Sequence, residues 1–273
     1  MINELYEHLF QMQSFFRYFI TLLIISNFLV ILFLHFKLRL DSKLKSMFNI
    51  SNIKKEIKNI KPVLLIIAHP NDEIMYFTPT IKKLINLGIT LKILCLSNGN
   101  NEKIDDIRTE EFKKVSKILK LEDNSILNIP ELKDDINQFW NENIVSEKID
   151  DFLKKNNDIQ TILTFNEDGV TKHPNHISCF NGLVHFIKKN REEIKKKQIN
   201  FFLLDSFNPV FKYTFFFPFI TFFFREFGFF NYNFFTSYKF MSIYNSQFNW
   251  KRKLYVFFSG YSFFNSYEKI ELQ

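Results

Sequence analysis

The sequence predicts an α/β fold: a Rossmann-like, mostly parallel sheet with helices on both faces, preceded by one N-terminal transmembrane helix. Three observations predict it. From residue 61 onward, short apolar runs alternate with longer segments of helical periodicity. Those runs are continuous rather than alternating, as strands covered on both faces are. Near the N-terminus, Tyr18–Phe36 (YFITLLIISNFLVILFLHF) is 19 residues without Asp, Glu, Lys or Arg.

As a helix that first run spans about 28 Å at ~1.5 Å per residue, close to the hydrocarbon thickness of a bilayer. A buried core helix is the competing reading. A cleaved signal is disfavoured, since Glu4 and Glu7 precede the run and no small-residue cleavage site follows it. Arg17 is the sole Lys or Arg before the run, whereas Lys37, Arg39, Lys43, Lys45, Lys54 and Lys55 follow. The positive-inside rule then places the remainder in the cytosol. The expected organisation is a lumenal segment 1–17, an anchor 18–36, a basic linker 37–60 and a cytosolic domain 61–273.

Within that domain, Val63–Ala68 (VLLIIA) is a strand bounded by Pro62 and His69-Pro70. Glu73–Leu87 has helical periodicity and stops at Gly88. Leu91–Leu96 is a second strand, ended by Ser97-Asn98-Gly99-Asn100. Residues 106–120 form a charged helix with Phe112, Val115, Ile118 and Leu119 on one face. Ser125–Ile129 is a third strand and Ile144–Leu153 a helix. Thr161–Phe165 is a fourth strand, Pro174–Lys188 a helix, and Phe201–Leu204 a fifth strand.

Composition narrows the function. A chain of 273 residues with 46% hydrophobic and 24% charged residues is globular, not disordered. Two Cys exclude a disulfide-built scaffold and a Cys-rich metal cluster; Cys95 and Cys179 read as buried thiols. The net charge of +7 suits nucleic acid, an anionic membrane or a phosphate-bearing substrate. No G-x-G-x-x-G follows a strand, which disfavours a dinucleotide. Residues 201–240 hold 17 of the 37 Phe, with uncharged runs Tyr213–Phe224 and Phe227–Tyr238 of 12 residues each. These are too short to span a bilayer. They are expected at the membrane interface beside the active site, against the alternative of an ordinary Phe-rich core. The Lys251-Arg252-Lys253 cluster either meets lipid phosphates or is a solvated turn.

In parallel α/β sheets, sites lie outside the carboxyl ends of the strands. After the first strand stands His69-Pro70-Asn71-Asp72-Glu73. After the fourth stands Asn166-Glu167-Asp168-Gly169, then His173-Pro174-Asn175-His176. Imidazoles and carboxylates at two strand ends suit a zinc site with one position left for water. The competing readings are a helix cap by Asp72 and two surface imidazoles.

The motifs AHPNDE and HPNH resemble those of the LmbE/PIG-L-type zinc de-N-acetylases, whose first motif normally reads A-H-P-D-D-E. The resemblance extends through LLIIAHPNDEIMYFTPTI, LCLSNGN, the Arg108/Glu111 pair, TFNEDGVTKHPNHIS and MSIYNSQFNWKRKLYVFFS. It is nearest to the branch acting on N-acetylglucosaminyl-phosphatidylinositol. It implies Zn2+ held by His69, Asp72 and His176, with another divalent metal as the alternative, and His173 as the acid that polarises the scissile carbonyl. Arg108, Asn98 and Asn175 are implied near substrate; for Arg108 an ordinary salt bridge to Glu110 or Glu111 competes.

The chain departs from the family at three positions. Asn71 replaces the general base Asp, Asn166 replaces a usual Asp, and Tyr244 stands where relatives often carry His. An amide accepts a hydrogen bond but not a proton at neutral pH. Either the metal alone activates water, or Glu73 or Asp168 serves as base, or the protein is catalytically silent. The resemblance implies hydrolysis of the glycolipid to glucosaminyl-phosphatidylinositol, an early step of glycosylphosphatidylinositol-anchor synthesis at the endoplasmic reticulum membrane. Another N-acetyl sugar conjugate is the alternative substrate. The expected partners are that glycolipid and membrane lipids, not nucleic acid; no protein partner is identifiable.

Overall fold

The computed structural model describes residues 17, 18, 20, 21, 25, 32, 36–48, 57–99, 105–121, 124–208, 210–214, 216–233 and 235–272. The chain divides into two units, Met1–Ser42 and Lys43–Gln273. In the first, the described residues are helical, and Thr21 Oγ1 donates to the Arg17 carbonyl one turn back at 2.8 Å. Most of Tyr18–Phe36 lies outside the described residues, and the anchor expectation falls there with it. Among the described residues, no helix is long and apolar enough to cross a membrane.

The second unit is built on one sheet. Its strands are β1 (Val63–Ile67), β2 (Leu91–Cys95), β3 (Ser125–Ile126), β4 (Thr161–Phe165), β5 (Asn200–Leu204), β6 (Phe227–Phe230) and β7 (Phe264–Lys269). They lie in the order β3-β2-β1-β4-β5-β7-β6. The first five run parallel, with Val63 of β1 opposite Leu91 of β2 and Thr161 of β4. Every residue of β1, β2 and β4 is buried, as their unbroken apolar character demands. The sheet's centre is therefore its most enclosed part, and β1 and β4, which lead into the two His-bearing motifs, are neighbours there.

The helices that flank the sheet, or pack beyond it, are α1 (Asp72–Tyr76), α2 (Thr78–Asn86), α3 (Asp105–Ile118), α4 (Glu142–Lys155), the turn α5 (Gly169–Lys172), α6 (Pro174–Lys189), α7 (Arg191–Lys197), α8 (Phe216–Phe224), α9 (Thr236–Met241) and α10 (Trp250–Phe258).

Three sequence expectations are corrected. The single helix over Glu73–Leu87 is two, α1 and α2, broken at Phe77 (φ −118°, ψ 8°), because Pro79 sits in the first turn of α2. Ile118 is 58% exposed, so the buried apolar residues of α3 are Phe112 and Val115, continued by Leu119 just past its end. The sheet has two further strands, β6 and β7, antiparallel to their neighbours. β7 is fixed from afar by a buried amide. Asn265 Oδ1 accepts from Thr80 N at 3.2 Å and from Thr80 Oγ1 at 2.7 Å, while Asn265 Nδ2 donates to the Tyr76 carbonyl at 2.7 Å.

Candidate metal centre

The centre forms because β1 and β4 end side by side. The chain leaves β1 through Ala68 and His69 and turns at Asn71, which holds φ +91°. That left-handed conformation is one that Asn and Asp tolerate better than other side chains. The turn starts α1 at Asp72 and folds its carboxylate back over the strand end. Asp72 Oδ2 accepts from the backbone N–H of His69 at 2.8 Å and of Ala68 at 3.2 Å. After β4, the segment through Gly169 leads to His173, the N-cap of α6, and to His176 in its first turn.

His69, Asp72 and His176 are all buried, and one ligand atom from each lies within 4.8 Å of the others. Asp72 Oδ2 is 3.3 Å from His176 Nε2 and 3.7 Å from His69 Nδ1. Burial opposes ionisation of Asp72, yet the His176 and His69 imidazoles and the His69 amide hold its carboxyl well below the usual range. Burial pushes His69 down to about 4 against the pull of Asp72 and Asp134, which keeps the ring neutral at pH 7. His176 Nδ1 lies 3.0 Å from the Gly169 carbonyl. As the donor in that contact, Nδ1 carries the proton and leaves the Nε2 lone pair facing Asp72. Two imidazoles and one carboxylate, converging and buried, are the donor set a divalent ion such as zinc requires, so the residues present fit the group.

Gly169 makes this possible. It holds φ +56°, and a Cβ there would stand 2.9 Å from His176 Cβ and from Ile177 Cγ1. Phe165 stacks on the other side of the ring, 4.2 Å between centroids, and Tyr76 meets it edge-on at 5.4 Å.

His173 is half-buried. Its Nδ1 accepts the Asn175 N–H at 3.2 Å, so in the neutral ring the proton sits on Nε2. Burial and the neighbouring His176 lower its pKa, while Asp134 opposes.

Asp134 is the residue that sequence reasoning missed. It follows β3, a third strand end, and the rule that directs attention there also covers it. Its Oδ1 stands 3.3 Å from His69 Nε2 and 3.8 Å from His173 Nε2, and its Oδ2 accepts from Arg108 at 3.1 Å. His69 Nε2 is not aligned for a hydrogen bond and is a buried atom without a partner among the described residues. Burial raises the Asp134 pKa, but His69 and Arg108 more than offset it and keep the carboxylate ionised. Arg108 is therefore not spent on Glu110 or Glu111; Glu111 accepts from Ser246 N and Oγ instead. Asn175 uses both ends of its amide on the loop that carries Asp134, donating to the Lys133 carbonyl (3.1 Å) and accepting from Asp135 N (3.3 Å).

Asn71 is buried beside Asp72, and its Nδ2 donates to Gln247 Oε1 at 2.5 Å, which leaves Oδ1 as an acceptor. Glu73 is wholly buried. Tyr244 Oη donates to its Oε1, and Asn71 N donates to its Oε2 at 3.0 Å. Burial pushes its carboxyl up to about 8. Asp168 is exposed in the turn before Gly169, and Asn98 is buried just beyond β2. Asn166 Oδ1 accepts from Ser206 Oγ at 2.5 Å. Cys95 and Cys179 are buried core thiols. Arg252 of α10 donates to the Gln247 carbonyl at 3.1 Å and lies within the fields of Arg108, Asp72 and Asp134.

Taken together, a mostly parallel sheet and a His-Asp-His cluster at its carboxyl ends define an LmbE-like α/β fold. The same fold is found in N,N'-diacetylchitobiose deacetylase from Pyrococcus horikoshii (TM-score 0.53, 15% identity, 85% of this chain and 91% of that one). Residues 64–187 of the chain match the PIG-L family, described as GlcNAc-PI de-N-acetylase. It is similar to the probable N-acetylglucosaminyl-phosphatidylinositol de-N-acetylase of Schizosaccharomyces pombe, with 32% identity over 168 residues, 60% of this chain and 65% of that protein. The probable enzyme of the same name from Dictyostelium discoideum is 35% identical over 130 residues, 47% of this chain and 50% of that protein. The chain thus matches about half to two thirds of the length of these relatives.

Proposed function

We propose that the chain is a metal-dependent amidohydrolase that removes the N-acetyl group of N-acetylglucosaminyl-phosphatidylinositol, releasing acetate and glucosaminyl-phosphatidylinositol. The observation that carries this reading is the convergence of His69, Asp72 and His176 beside His173. A divalent ion held by those three, most simply Zn2+, supplies Lewis-acid polarisation of the amide carbonyl and acidifies a water.

The chain's own residues do the rest. His173, with its proton on Nε2, donates a hydrogen bond to the carbonyl oxygen as charge develops there, and the proton that Asp134 takes from the water passes on to the departing amine. Asn71 Oδ1 orients the attacking water by accepting a hydrogen bond, but its amide does not take the proton. Glu73 is turned away, with both carboxyl oxygens engaged by Tyr244 and Asn71 N. Asp134 Oδ1, ionised and close to both His69 and His173, is the carboxylate best placed to accept the proton. Arg108 anchors Asp134 and borders the space where the sugar would lie.

A lipid-linked substrate gives a reason for the uncharged run Tyr18–Phe36, which would hold residues 61–273 on the cytosolic face of the endoplasmic reticulum as a single-pass enzyme. Asn71 favours a second reading, a catalytically silent member that binds the glycolipid without turnover. The test is a deacetylation assay on the glycolipid with and without chelator, for wild type and His176→Ala. Chelator-sensitive acetate release, lost in His176→Ala, is the result expected. Metal binding with no release would establish the silent reading. Equal rates on soluble N-acetylglucosamine conjugates would move the substrate to another sugar.

A further inference from the structure

Helix α10 has two unlike faces. Inward, Tyr255 and Val256 are buried. The Tyr255 ring lies 5.7 Å from Tyr76, which in turn lies 5.4 Å from the metal-ligand candidate His176. Outward, Trp250, Lys251, Leu254, Phe257 and Phe258 occupy positions i, i+1, i+4, i+7 and i+8, a single stripe. Trp250 is 67% exposed, Phe258 54% and Leu254 49%. A surface helix ordinarily turns such a stripe toward the core; here the core side is already filled and the stripe faces out.

The patch continues beyond the helix. Tyr213, from the 3-10 turn Phe211–Tyr213, closes a shallow cavity of about 510 Å³ with Trp250, Lys251, Leu254 and Phe258. On the other flank, Phe235 is 65% exposed and packs 6.2 Å from Phe257.

Charge indicates what covers this face. Lys251 and Lys253 are exposed on α10, Lys212 stands beside Tyr213, and no acidic residue lies within Trp250–Phe258. Two of the lysines lie over aromatic rings of the patch: Lys251 over Trp250 at 5.9 Å, and Lys212 over Tyr213 at 5.1 Å. Aromatic bodies with polar tips, edged by lysines, match the boundary between acyl chains and anionic headgroups. A second copy of the chain is the poorer occupant, because a self-complementary contact would oppose this cationic patch to itself.

We infer that the outward face of α10, with Tyr213 and Phe235, seats in the interface of an anionic phospholipid bilayer and holds the metal centre beside the lipid surface. The contact is additional to any N-terminal anchor. It gains its purpose from the lipid-linked substrate proposed above, but its test does not depend on turnover. Insertion of such a face reaches about 5–10 Å into the boundary of headgroups and acyl chains.

The chain's two Trp supply the probe, since Trp140 is buried and Trp250 is on the face. The full chain carrying Trp140→Phe is reconstituted in phosphatidylcholine vesicles with and without phosphatidylserine, using acyl chains brominated at known depths. The expected result is blue-shifted emission, quenched by shallow bromines and shielded from aqueous acrylamide, with the shielding greater when phosphatidylserine is present. Wild type minus Trp250→Phe gives the same signal by difference if Trp140→Phe folds poorly. Leu254→Ser with Phe258→Ser should halve the bromine quenching or more. Trp250 fully open to acrylamide and untouched by bromines would overturn the inference, as would shielding indifferent to phosphatidylserine or shielding that appears with dimers in detergent.

Discussion

Replacing Gly169 by Ala should loosen the metal without touching a ligand. At φ +56° a side chain costs about 1–2 kcal/mol from the left-handed backbone alone. The added Cβ would meet His176 Cβ and Ile177 Cγ1 at 2.9 Å and the Ile177 backbone nitrogen at 3.0 Å. Carbon contacts settle near ~3.5–4.0 Å, so the start of α6 must retreat by at least about 0.6 Å. That retreat draws His176 Nδ1 from the Gly169 carbonyl, now 3.0 Å away, and turns Nε2 out of line with Asp72. Losing an outer partner of a ligating imidazole typically costs about 10–100-fold in affinity, or ~1.4–2.7 kcal/mol. The assay is zinc titration against a chelating dye on the detergent-solubilised chain, with circular dichroism to confirm folding. Gly88→Ala is the control: Gly88 holds φ +73° with nothing within 4 Å of the added Cβ, and it leads into the amino end of β2 rather than a carboxyl end. It should lose a similar backbone increment of stability and keep its zinc affinity. Gly169→Ala binding zinc within twofold of wild type would refute the role of the Gly169 segment in aiming His176.

Three other outcomes are expected. Asn71→Asp restores a proton acceptor beside Asp72 and should raise kcat, by up to the ~10²–10⁴-fold typical of a general base; a fall would show that the Asn71–Gln247 contact is itself required. Asp134→Asn should lower kcat about 10²-fold while metal content stays near wild type, and unchanged turnover would remove Asp134 from the mechanism. Glu73→Gln should alter the pH dependence of stability in metal-free protein. Because burial raises Glu73 from its ordinary value of 4.5 to about 8, its stabilising contribution is complete below pH 4.5 and is lost as pH rises through 8. The non-titrating amide escapes that loss, so thermal melts should favour the variant increasingly from pH 5 to 9, by at most ~5 kcal/mol at ~1.36 kcal/mol per pH unit. A pH-independent difference would show that Glu73 stays ionised throughout.

The parallel half of the sheet was legible because its strands are unbroken apolar runs, and a buried parallel strand leaves that signature in sequence. The metal cluster was legible for a related reason. His69 and Asp72 follow β1 directly, His173 and His176 follow β4, and neighbouring strands bring the two motifs together. The antiparallel edge was not legible. Phe227–Phe230 lies in a Phe-rich stretch where alternation is invisible, and β7 is held by Asn265, whose partners Thr80 and Tyr76 are far away in sequence. The split between α1 and α2 had a readable signal in Pro79. Asp134 had a weaker one, since β3 is two residues long and its loop is placed by Asn175 and by the Trp140 indole, which donates to the Lys133 carbonyl at 2.7 Å. Asn71 was visible as a departure, but its pairing with Gln247 depends on a contact across 176 positions.

Zinc-edge X-ray absorption on the purified full chain, compared with His176→Ala, bears most directly on the whole account. Convergence of His69, Asp72 and His176 predicts about one ion per chain, bound by two imidazole nitrogens and oxygen at ~2.0–2.2 Å and lost when His176 is removed. Substoichiometric metal, sulfur in the first shell, or an unchanged spectrum in His176→Ala would contradict it.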